Sequence, residues 1–220
     1  LLVRRGSAQP GVSPVTGAVL CLLRSGGPDY GPGNVEALRD SLARHSDAPL
    51  VCFSDVPVPC RRVPLAHRWP GWWSKLEVFR FNYADPVLYV DLDTVFVDDP
   101  APLFRERFTM LQRLNWPAGE VGSGVMSWAG DFSHLYRSFA ANPERHIAGY
   151  RTPAKWGDQG FIRDHLGERP ALFETSLAAS YKGHCTDKGR GPFRIPHPDV
   201  RVVYFHGKPR PWEVPPVWKA

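Results

Sequence analysis

The chain has 220 residues, of which 43% are hydrophobic and 12% aromatic. This length fits one domain, and this composition supplies a full core and excludes a largely disordered protein. The net charge of +5 fits a mildly basic surface or a site for anionic substrates such as nucleotide diphosphates. The Lys and Arg residues are scattered and match no nucleic-acid-binding module, so we expect no nucleic-acid partner.

The N-terminal residues 1–16 are rich in Gly, Pro and Ser and are predicted to form a loose tail, with residues 17–220 as a single domain. The apolar run 18–23 is far shorter than the roughly 20 residues of a membrane span. No signal peptide is recognised, so the expected protein is cytoplasmic, with no transmembrane segment and peripheral membrane contact left open. Cys21 and Cys52 lie in apolar runs and are expected to be buried thiols, which favours a reducing compartment.

Apolar runs alternate with helical patterns along the chain. Strands are predicted over residues 18–23, 50–53, 87–90, 109–114, 125–128 and 201–205. Helices are predicted over residues 34–45 with Asn34 as N-cap, 72–81, 131–142 with Asp131 at the start, and 158–165. This alternation predicts an α/β fold of the Rossmann-like type, with a mostly parallel central sheet and helices on both faces. In such sheets ligands bind at the carboxyl ends of the strands.

An acidic triplet, Asp91-Leu92-Asp93, directly follows the apolar run 87–90. Alternate residues of an extended chain face one side, so we expect both carboxylates to face the same way. There they can hold a divalent cation that clamps a diphosphate. Isolated D-x-D triplets usually lie on solvated turns, and here the strand context favours the metal site. The stretch from Asp91 to Val95 also fits the D-x-D-x-[TV] motif of haloacid dehalogenase-like phosphatases, in which the first Asp is the nucleophile.

A second motif follows the last predicted strand, from Phe205 to Trp212. It resembles the H-F-x-G-x-x-K-P-W segment of the glycogenin-like retaining glycosyltransferases, glycosyltransferase family eight, with Arg in place of Lys. The matching positions are Gly207, Arg210, Pro211 and Trp212. Without gaps the family histidine falls on Tyr204, whereas this chain has His206, two residues later. Both positions face the same way on a strand, so His206 remains the expected ligand.

This resemblance implies a GT-A fold and a metal site formed by Asp91, Asp93 and His206. Two carboxylates with an imidazole suit Mn²⁺, which is favoured, with Mg²⁺ as the other option. The alternative for His206 is a hydrogen-bonded structural histidine. In the family the lysine of the tail motif contacts the diphosphate, which assigns Lys208 and Arg210 to the leaving group. Solvated surface charges are the alternative for these two cations.

Shorter matches fall in the same order along the chain. Lys75, in a Trp-Trp-Ser-Lys stretch, matches a basic residue that approaches the donor in the family, with a surface lysine as the alternative. Gly124 matches a stretch beside the donor sugar. Asp158 and Gln159 match the Asp-Gln pair in which Asp binds sugar hydroxyls and Gln lies near the reacting face of the anomeric carbon. A helix N-cap is the alternative for Asp158.

The resemblance as a whole implies a metal-dependent enzyme that moves a hexose from a nucleotide-diphosphate sugar, UDP-sugar favoured, to an unknown glycan or other acceptor. It also implies retention of the anomeric configuration. Polysaccharide biosynthesis is one such role. The predicted donor contacts are Leu23, Arg24, Tyr30, Asp55, Lys75, Leu92, Gly124, Gly207, Lys208 and Arg210. A phosphatase with Asp91 as nucleophile and a non-catalytic nucleotide-sugar-binding module are the alternatives. Trp69, Trp72 and Trp73 could line an acceptor groove, but core packing is the favoured interpretation.

Overall fold

The computed structural model describes residues 17–113 and 120–215, so the predicted tail 1–16 lies outside the described residues. The strands are β1 (Val19–Leu23), β2 (Leu50–Ser54), β3 (Arg61–Pro64), β4 (Tyr83–Val90), β5 (Thr94–Phe96), β6 (Thr109–Gln112), β7 (Val121–Gly130), β8 (Arg151–Thr152), β9 (Lys155–Trp156), β10 (Ala171–Leu172), β11 (Ala178–Ser180) and β12 (Val202–Tyr204). The α-helices are α1 (Pro32–Ala43), α2 (Ser133–Ala141), α3 (Pro143–Gly149) and α4 (Gly157–His165). The other helical segments are the 3-10 helices Gly71–Arg80, Ala101–Leu103 and Pro211–Glu213, and the π-helix Tyr181–Cys185.

The central sheet has seven strands in the order β10-β6-β7-β4-β1-β2-β3. The pairs β1–β2, β1–β4, β2–β3 and β6–β10 are parallel, and β7 runs antiparallel to both β4 and β6. Because β1, β2 and β4 run the same way, their carboxyl ends meet at one edge of the sheet. The predicted mostly parallel α/β sheet is confirmed.

Both faces of the central sheet are covered, as predicted. One face packs against the 3-10 helix Gly71–Arg80 and against α2 and α4, with Trp73, Phe139 and Phe161 in its core. The other face packs against α1, with Leu38 and Leu42 in its core. Strands buried on both faces read as continuous apolar runs, which is why β1 and β2 were recognisable from sequence.

A second, three-stranded sheet in the order β11-β12-β5 lies beside the first. Strand β5 follows the acidic triplet, and β12 runs antiparallel to it with Tyr204 opposite Thr94. The N–H of Phe205 donates to the carbonyl of Asp93 over 3.0 Å. This pairing, which the sequence analysis did not predict, brings the tail motif to the acidic triplet.

The helix boundaries differ from the sequence predictions in three places. Helix α1 begins at Pro32 rather than Asn34, because Pro suits the first turn and the Asn34 side chain accepts from the N–H of Gly31. Helix α2 begins at Ser133, whose N–H donates to Asp131 over 2.8 Å. Helix α4 begins at Gly157, so Asp158 lies in its first turn and is not its N-cap.

The segment predicted as an α-helix over residues 72–81 is a 3-10 helix over Gly71–Arg80. Its side chains from Trp73 to Phe79 are all buried, so packing on every side, rather than one amphipathic face, fixes this segment. Residues three apart align along a 3-10 helix. Trp72 and Lys75 therefore lie on one line, a placement that matters for the site.

Two bulk predictions concern thiols and membranes. All four cysteines are free, and Cys21 and Cys52 are buried as predicted. Over residues 17–113 and 120–215, no helix is long and apolar enough to cross a bilayer.

Candidate functional site

The acidic triplet lies at the carboxyl end of β4, in a tight turn. The N–H of Thr94 donates to the carbonyl of Asp91 over 3.1 Å, and the N–H of Asp91 donates to the carbonyl of Gly124 over 2.8 Å. The expected extended chain is therefore wrong here, because a four-residue turn leads directly into β5. The Asp91 side chain is 36% exposed and that of Asp93 only 7% exposed.

Gly124 lies against the acidic triplet from the neighbouring strand β7. A Cβ at this position would lie 3.3 Å from Oδ2 of Asp91, which is tighter than ordinary van der Waals contact. The absence of a side chain thus lets β7 approach the carboxylate closely. Gly124 therefore lies beside the acidic triplet, and its place beside a donor sugar stays a prediction.

Lys75 is buried and joins two carboxylates of the site. Its Nζ lies 3.0 Å from Oδ1 of Asp91 and 3.1 Å from Oδ2 of Asp158. It also donates to the hydroxyl of Ser123 over 3.0 Å. Burial alone would lower its pKa, but the two carboxylates outweigh burial and raise the pKa of Lys75 above its usual value. The surface-lysine alternative is excluded, because Lys75 is a fixed positive charge inside the site.

Asp93 is enclosed by Tyr30 and Arg210. The Tyr30 hydroxyl donates to Oδ2 of Asp93 over 2.9 Å, and the Arg210 guanidinium pairs with the same oxygen. Burial, followed by the like charge of Asp91, raises the pKa of Asp93 to about 6. Without a further cation, ionisation of this carboxylate opposes folding.

A pH dependence follows from this raised pKa. The folded protein holds the Asp93 proton more tightly than the unfolded chain, so the stability from this group is full below pH ~4 and is lost as pH rises through about 6. In EDTA, we expect the free energy of unfolding of wild type to fall relative to that of Asp93→Asn by about 2–3 kcal/mol between pH 4 and pH 7. Urea unfolding at several pH values measures this difference. Parallel pH profiles would contradict the assignment.

The tail motif contributes two cations, Arg210 and Lys208, and the π-helix Tyr181–Cys185 contributes a third, Lys182. Arg210 lies 3.4 Å from Asp29 in addition to pairing with Asp93, and Lys208 pairs with Glu213. Nζ of Lys182, on the π-helix, donates to the carbonyl of Lys208 over 2.9 Å. The Arg210 side chain is largely buried, whereas Lys208 is exposed. The alternative of a solvated surface charge therefore fits Lys208 and does not fit Arg210. Together these cations form a basic cluster, defined as Lys182, Lys208 and Arg210.

His206 is exposed and lies at the start of the tail motif. Its Nε2 lies 3.0 Å from the Ser180 hydroxyl, and partial burial of the ring together with the charge of Lys182 lowers its pKa. Among the residues that the structure describes, no group of three His, Cys, Asp or Glu side chains is placed to hold a metal ion. The His206 hydrogen bond fits the structural alternative, and its role as a metal ligand stays a prediction. Tyr204 is buried on β12.

The chemistry of the acidic pair nevertheless suits a divalent cation. Asp91 and Asp93 are close enough for the charge of one to raise the pKa of the other, and hard oxygen ligands are those that Mg²⁺ and Mn²⁺ prefer. Arg210 and Lys75 each neutralise one of these carboxylates. The residues present therefore fit a cation held by two carboxylates, and among the described residues no His, Cys, Asp or Glu side chain is placed to complete a group of three.

A cavity of about 340 Å³ opens at the carboxyl ends of β1 and β2. Its lining is Arg24, Asp55, Leu65, Ala66, His67 and Arg68. Asp55 pairs with Arg24 and accepts hydrogen bonds from the N–H and hydroxyl of Ser25, each over 2.8 Å. Burial opposes ionisation of Asp55, but these partners outweigh it and lower its pKa. The predicted contacts Arg24 and Asp55 thus meet at one cavity, whereas the Leu23 and Leu92 side chains are buried in the core.

Glu77, which was not predicted as a site residue, binds the backbone of the 65–68 loop that lines this cavity. Its carboxylate accepts the N–H groups of Ala66 and His67 over 2.6 and 2.9 Å and lies 3.6 Å from Arg80. Acidic side chains are almost never fully buried without partners. The lone Glu among the apolar residues 76–79 could therefore have indicated a buried carboxylate with fixed partners. Lys182 was harder to recognise as a site residue, because it follows a strand of only three residues, which is too short to predict from sequence.

Glu77→Gln is expected to lower the free energy of unfolding by about 2 kcal/mol, because glutamine keeps the size but supplies only one acceptor oxygen for two backbone N–H groups. Urea unfolding measures the loss. Glu36→Gln, at a side chain that is 57% exposed, is the matched control and should stay within about 0.5 kcal/mol of wild type. Equal stability of the two variants would show that Glu77 does not hold the 65–68 loop.

The predicted catalytic pair lies at the start of α4. Asp158 is buried, and its Oδ2 accepts from the Ser123 hydroxyl over 2.6 Å as well as contacting Lys75. Gln159 is half-buried and makes no side-chain hydrogen bond to any described residue. Lys75 thus connects Asp158 to Asp91, so these three side chains form one cluster, and the role of Gln159 stays a prediction.

Neither a protein-family model nor a curated protein matches the sequence. Solved structures do match. The glycosyltransferase GlyE of Streptococcus pneumoniae TIGR4 superposes with a TM-score of 0.62 at 15% identity, over 93% of this chain and 59% of that one. The bifunctional glycosyltransferase WbbM gives 0.62 at 12% identity, over 93% and 48%. This chain therefore spans only about half to three fifths of those two proteins.

The galactosyltransferase LgtC, solved with donor and acceptor sugar analogs, gives a TM-score of 0.59 at 14% identity, over 89% of each chain. At identities this low, the structural similarity establishes the architecture only, and the reaction has to be argued from the residues of the site. The chain has the GT-A glycosyltransferase fold.

Proposed function

We propose that this protein is a metal-dependent glycosyltransferase that moves a hexose from a nucleotide-diphosphate sugar to an acceptor hydroxyl. One observation carries the proposal. Asp91 and Asp93 lie at the carboxyl edge of β4, where Lys75 joins Asp91 to Asp158 and Arg210 of the basic cluster pairs with Asp93. In a GT-A fold this combination of paired carboxylates and cations suits a diphosphate bound through a metal ion.

The cavity lined by Arg24 and Asp55 is the proposed place for the base and ribose. It lies at the ends of β1 and β2, where ligands of open α/β sheets bind. The partners of Asp55 lower its pKa and so favour its carboxylate form, which can accept hydrogen bonds from ribose hydroxyls. A UDP-sugar remains the favoured donor.

Asp91 and Asp93 are the proposed ligands of Mn²⁺ or Mg²⁺, with His206 as a third ligand that would have to leave Ser180. When bound, the cation would neutralise charge on the leaving diphosphate. The basic cluster serves the same oxygens, because a cation held beside a developing charge stabilises the transition state. Tyr30 remains a hydrogen-bond donor to Asp93, since burial raises its pKa.

Asp158 and Gln159 are the proposed contacts of the donor hexose. The acceptor hydroxyl oxygen bonds to the anomeric carbon, the bond from that carbon to the diphosphate breaks, and the hydroxyl proton passes to the diphosphate or to solvent. One solved structure of LgtC carries an active-site Gln→Glu substitution, so a glutamine belongs to the active site of that protein. Retention of configuration and a cytoplasmic role in polysaccharide synthesis are parts of this proposal.

Donor hydrolysis tests the proposal directly. Wild-type protein is incubated with a panel of UDP- and GDP-sugars, with Mn²⁺ or with EDTA, and released nucleotide is measured. We expect release that requires the metal. Hydrolysis of p-nitrophenyl phosphate without nucleotide release would instead support the phosphatase, and metal-dependent binding of a nucleotide sugar without release would support the non-catalytic module.

A further inference from the structure

Two large aromatic side chains are exposed side by side at the edge of the proposed site. Trp72 is 53% exposed and Trp156 is 44% exposed, with ring centroids 6.5 Å apart and planes tilted by 36°. Trp69 and Trp73, by contrast, are buried in the core. Core packing therefore explains Trp69 and Trp73 and does not explain Trp72. Adjacent exposed indoles are a costly surface unless a ligand covers them.

The pair adjoins the proposed hexose contacts. Gly157 separates Trp156 from Asp158 along the chain, and a Cβ at Gly157 would lie 3.0 Å from Nε1 of Trp72. The Trp72 indole thus rests on the backbone where α4 begins. Trp72 is also aligned along the 3-10 helix with Lys75, which contacts Asp158 over 3.1 Å. Both indoles therefore flank the end of the site at which Asp158 is the proposed contact of the donor hexose.

The chemistry of this surface matches one face of a pyranose. An indole ring packs on the C–H face of a sugar, while hydroxyls need polar partners nearby. Gln159 supplies such a group, because its amide makes no side-chain hydrogen bond to the described residues. A nucleobase would also stack on indole, but the cavity beside Arg24 and Asp55 already provides a separate place for the base.

We propose that Trp72 and Trp156 form the acceptor platform and that the acceptor is a saccharide that presents a pyranose face to them. This inference rests on the proposed function and names its acceptor class. The Trp69 side chain takes no part in the platform.

Saturation-transfer difference NMR tests the platform without knowledge of the natural acceptor. The probes are the methyl α- and β-glycosides of the common hexoses, 6-deoxyhexoses and N-acetylhexosamines. We expect ring-proton signals from at least one probe and an affinity about 10-fold weaker in Trp72→Ala and Trp156→Ala, the loss that one aromatic contact of about 1.4 kcal/mol provides. Trp72→Phe and Trp156→Phe should retain part of the affinity.

Ile195→Ala is the matched control, because Ile195 is an exposed apolar residue (40%) outside the proposed site. Its saccharide affinity should equal that of wild type. Absence of ring-proton signal from the whole panel, or equal signal in the tryptophan-to-alanine variants, would overturn the platform. Donor hydrolysis by wild type is measured separately. Absence of donor hydrolysis alongside tryptophan-dependent saccharide binding would overturn the glycosyltransferase proposal and, with it, the acceptor role, and would leave Trp72 and Trp156 as a saccharide-binding surface only.

Discussion

Replacing Lys75 by methionine is expected to lower the free energy of unfolding by about 3–5 kcal/mol, the usual effect of removing one partner of a buried ion pair. Lys75 is buried and neutralises Asp91 and Asp158 over 3.0 and 3.1 Å. Methionine fills a similar volume and leaves two carboxylates without their cation. The loss is measured by urea unfolding at pH 7, with nucleotide release from the donor followed in parallel.

Two further variants separate charge from packing. The double variant Lys75→Met, Asp158→Asn removes one of the two carboxylates that Lys75→Met leaves without a cation. It should therefore recover part of the lost stability. No recovery is expected if the loss comes from packing alone. Lys155→Met changes a lysine whose side chain is 58% exposed and should stay within about 0.5 kcal/mol of wild type. If Lys75→Met were as stable as Lys155→Met, the charge network around Lys75 would have no energetic role.

Replacing Asp91 by asparagine is expected to lower metal-dependent nucleotide release by at least about 100-fold. The amide keeps the shape but loses the charge that holds a divalent cation, and roughly 3 kcal/mol of transition-state stabilisation corresponds to this factor. The carbonyl oxygen of the new amide would still accept from the Tyr89 hydroxyl, which donates to Asp91 over 2.8 Å. The loss should therefore be one of metal affinity and rate, with the fold retained.

Asp99→Asn is the matched control for this prediction. Asp99 is exposed and follows the acidic triplet along the chain. Its Oδ1 accepts the N–H of Ala101 over 3.0 Å, which the side-chain oxygen of asparagine can also do. Nucleotide release should be unchanged in this variant. Mn²⁺ affinity, measured by titration of the free-ion EPR signal, should be weakened by Asp91→Asn and unchanged by Asp99→Asn. Equal Mn²⁺ affinities would remove Asp91 from the metal site.

Local pattern was enough to predict the strands that lead to the site. The apolar runs over β1, β2 and the last four residues of β4 are continuous because these segments are buried on both faces. The carboxyl-end rule then indicated Arg24, Asp55 and Asp91 as members of one edge. The 3-10 geometry of Gly71–Arg80 could not be predicted from local pattern, because it depends on packing against distant residues on every side.

The sequence by itself determined the α/β fold and the acidic triplet at a strand end, since both depend on residues close together in the chain. Only the tertiary structure decided the partners of those carboxylates. Lys75 is 16 residues from Asp91, and Arg210 is 117 residues from Asp93. Those contacts depend on the burial of the 3-10 helix and on the pairing of β12 with β5. Periodicity and spacing carry no information about which distant charge a carboxylate will meet.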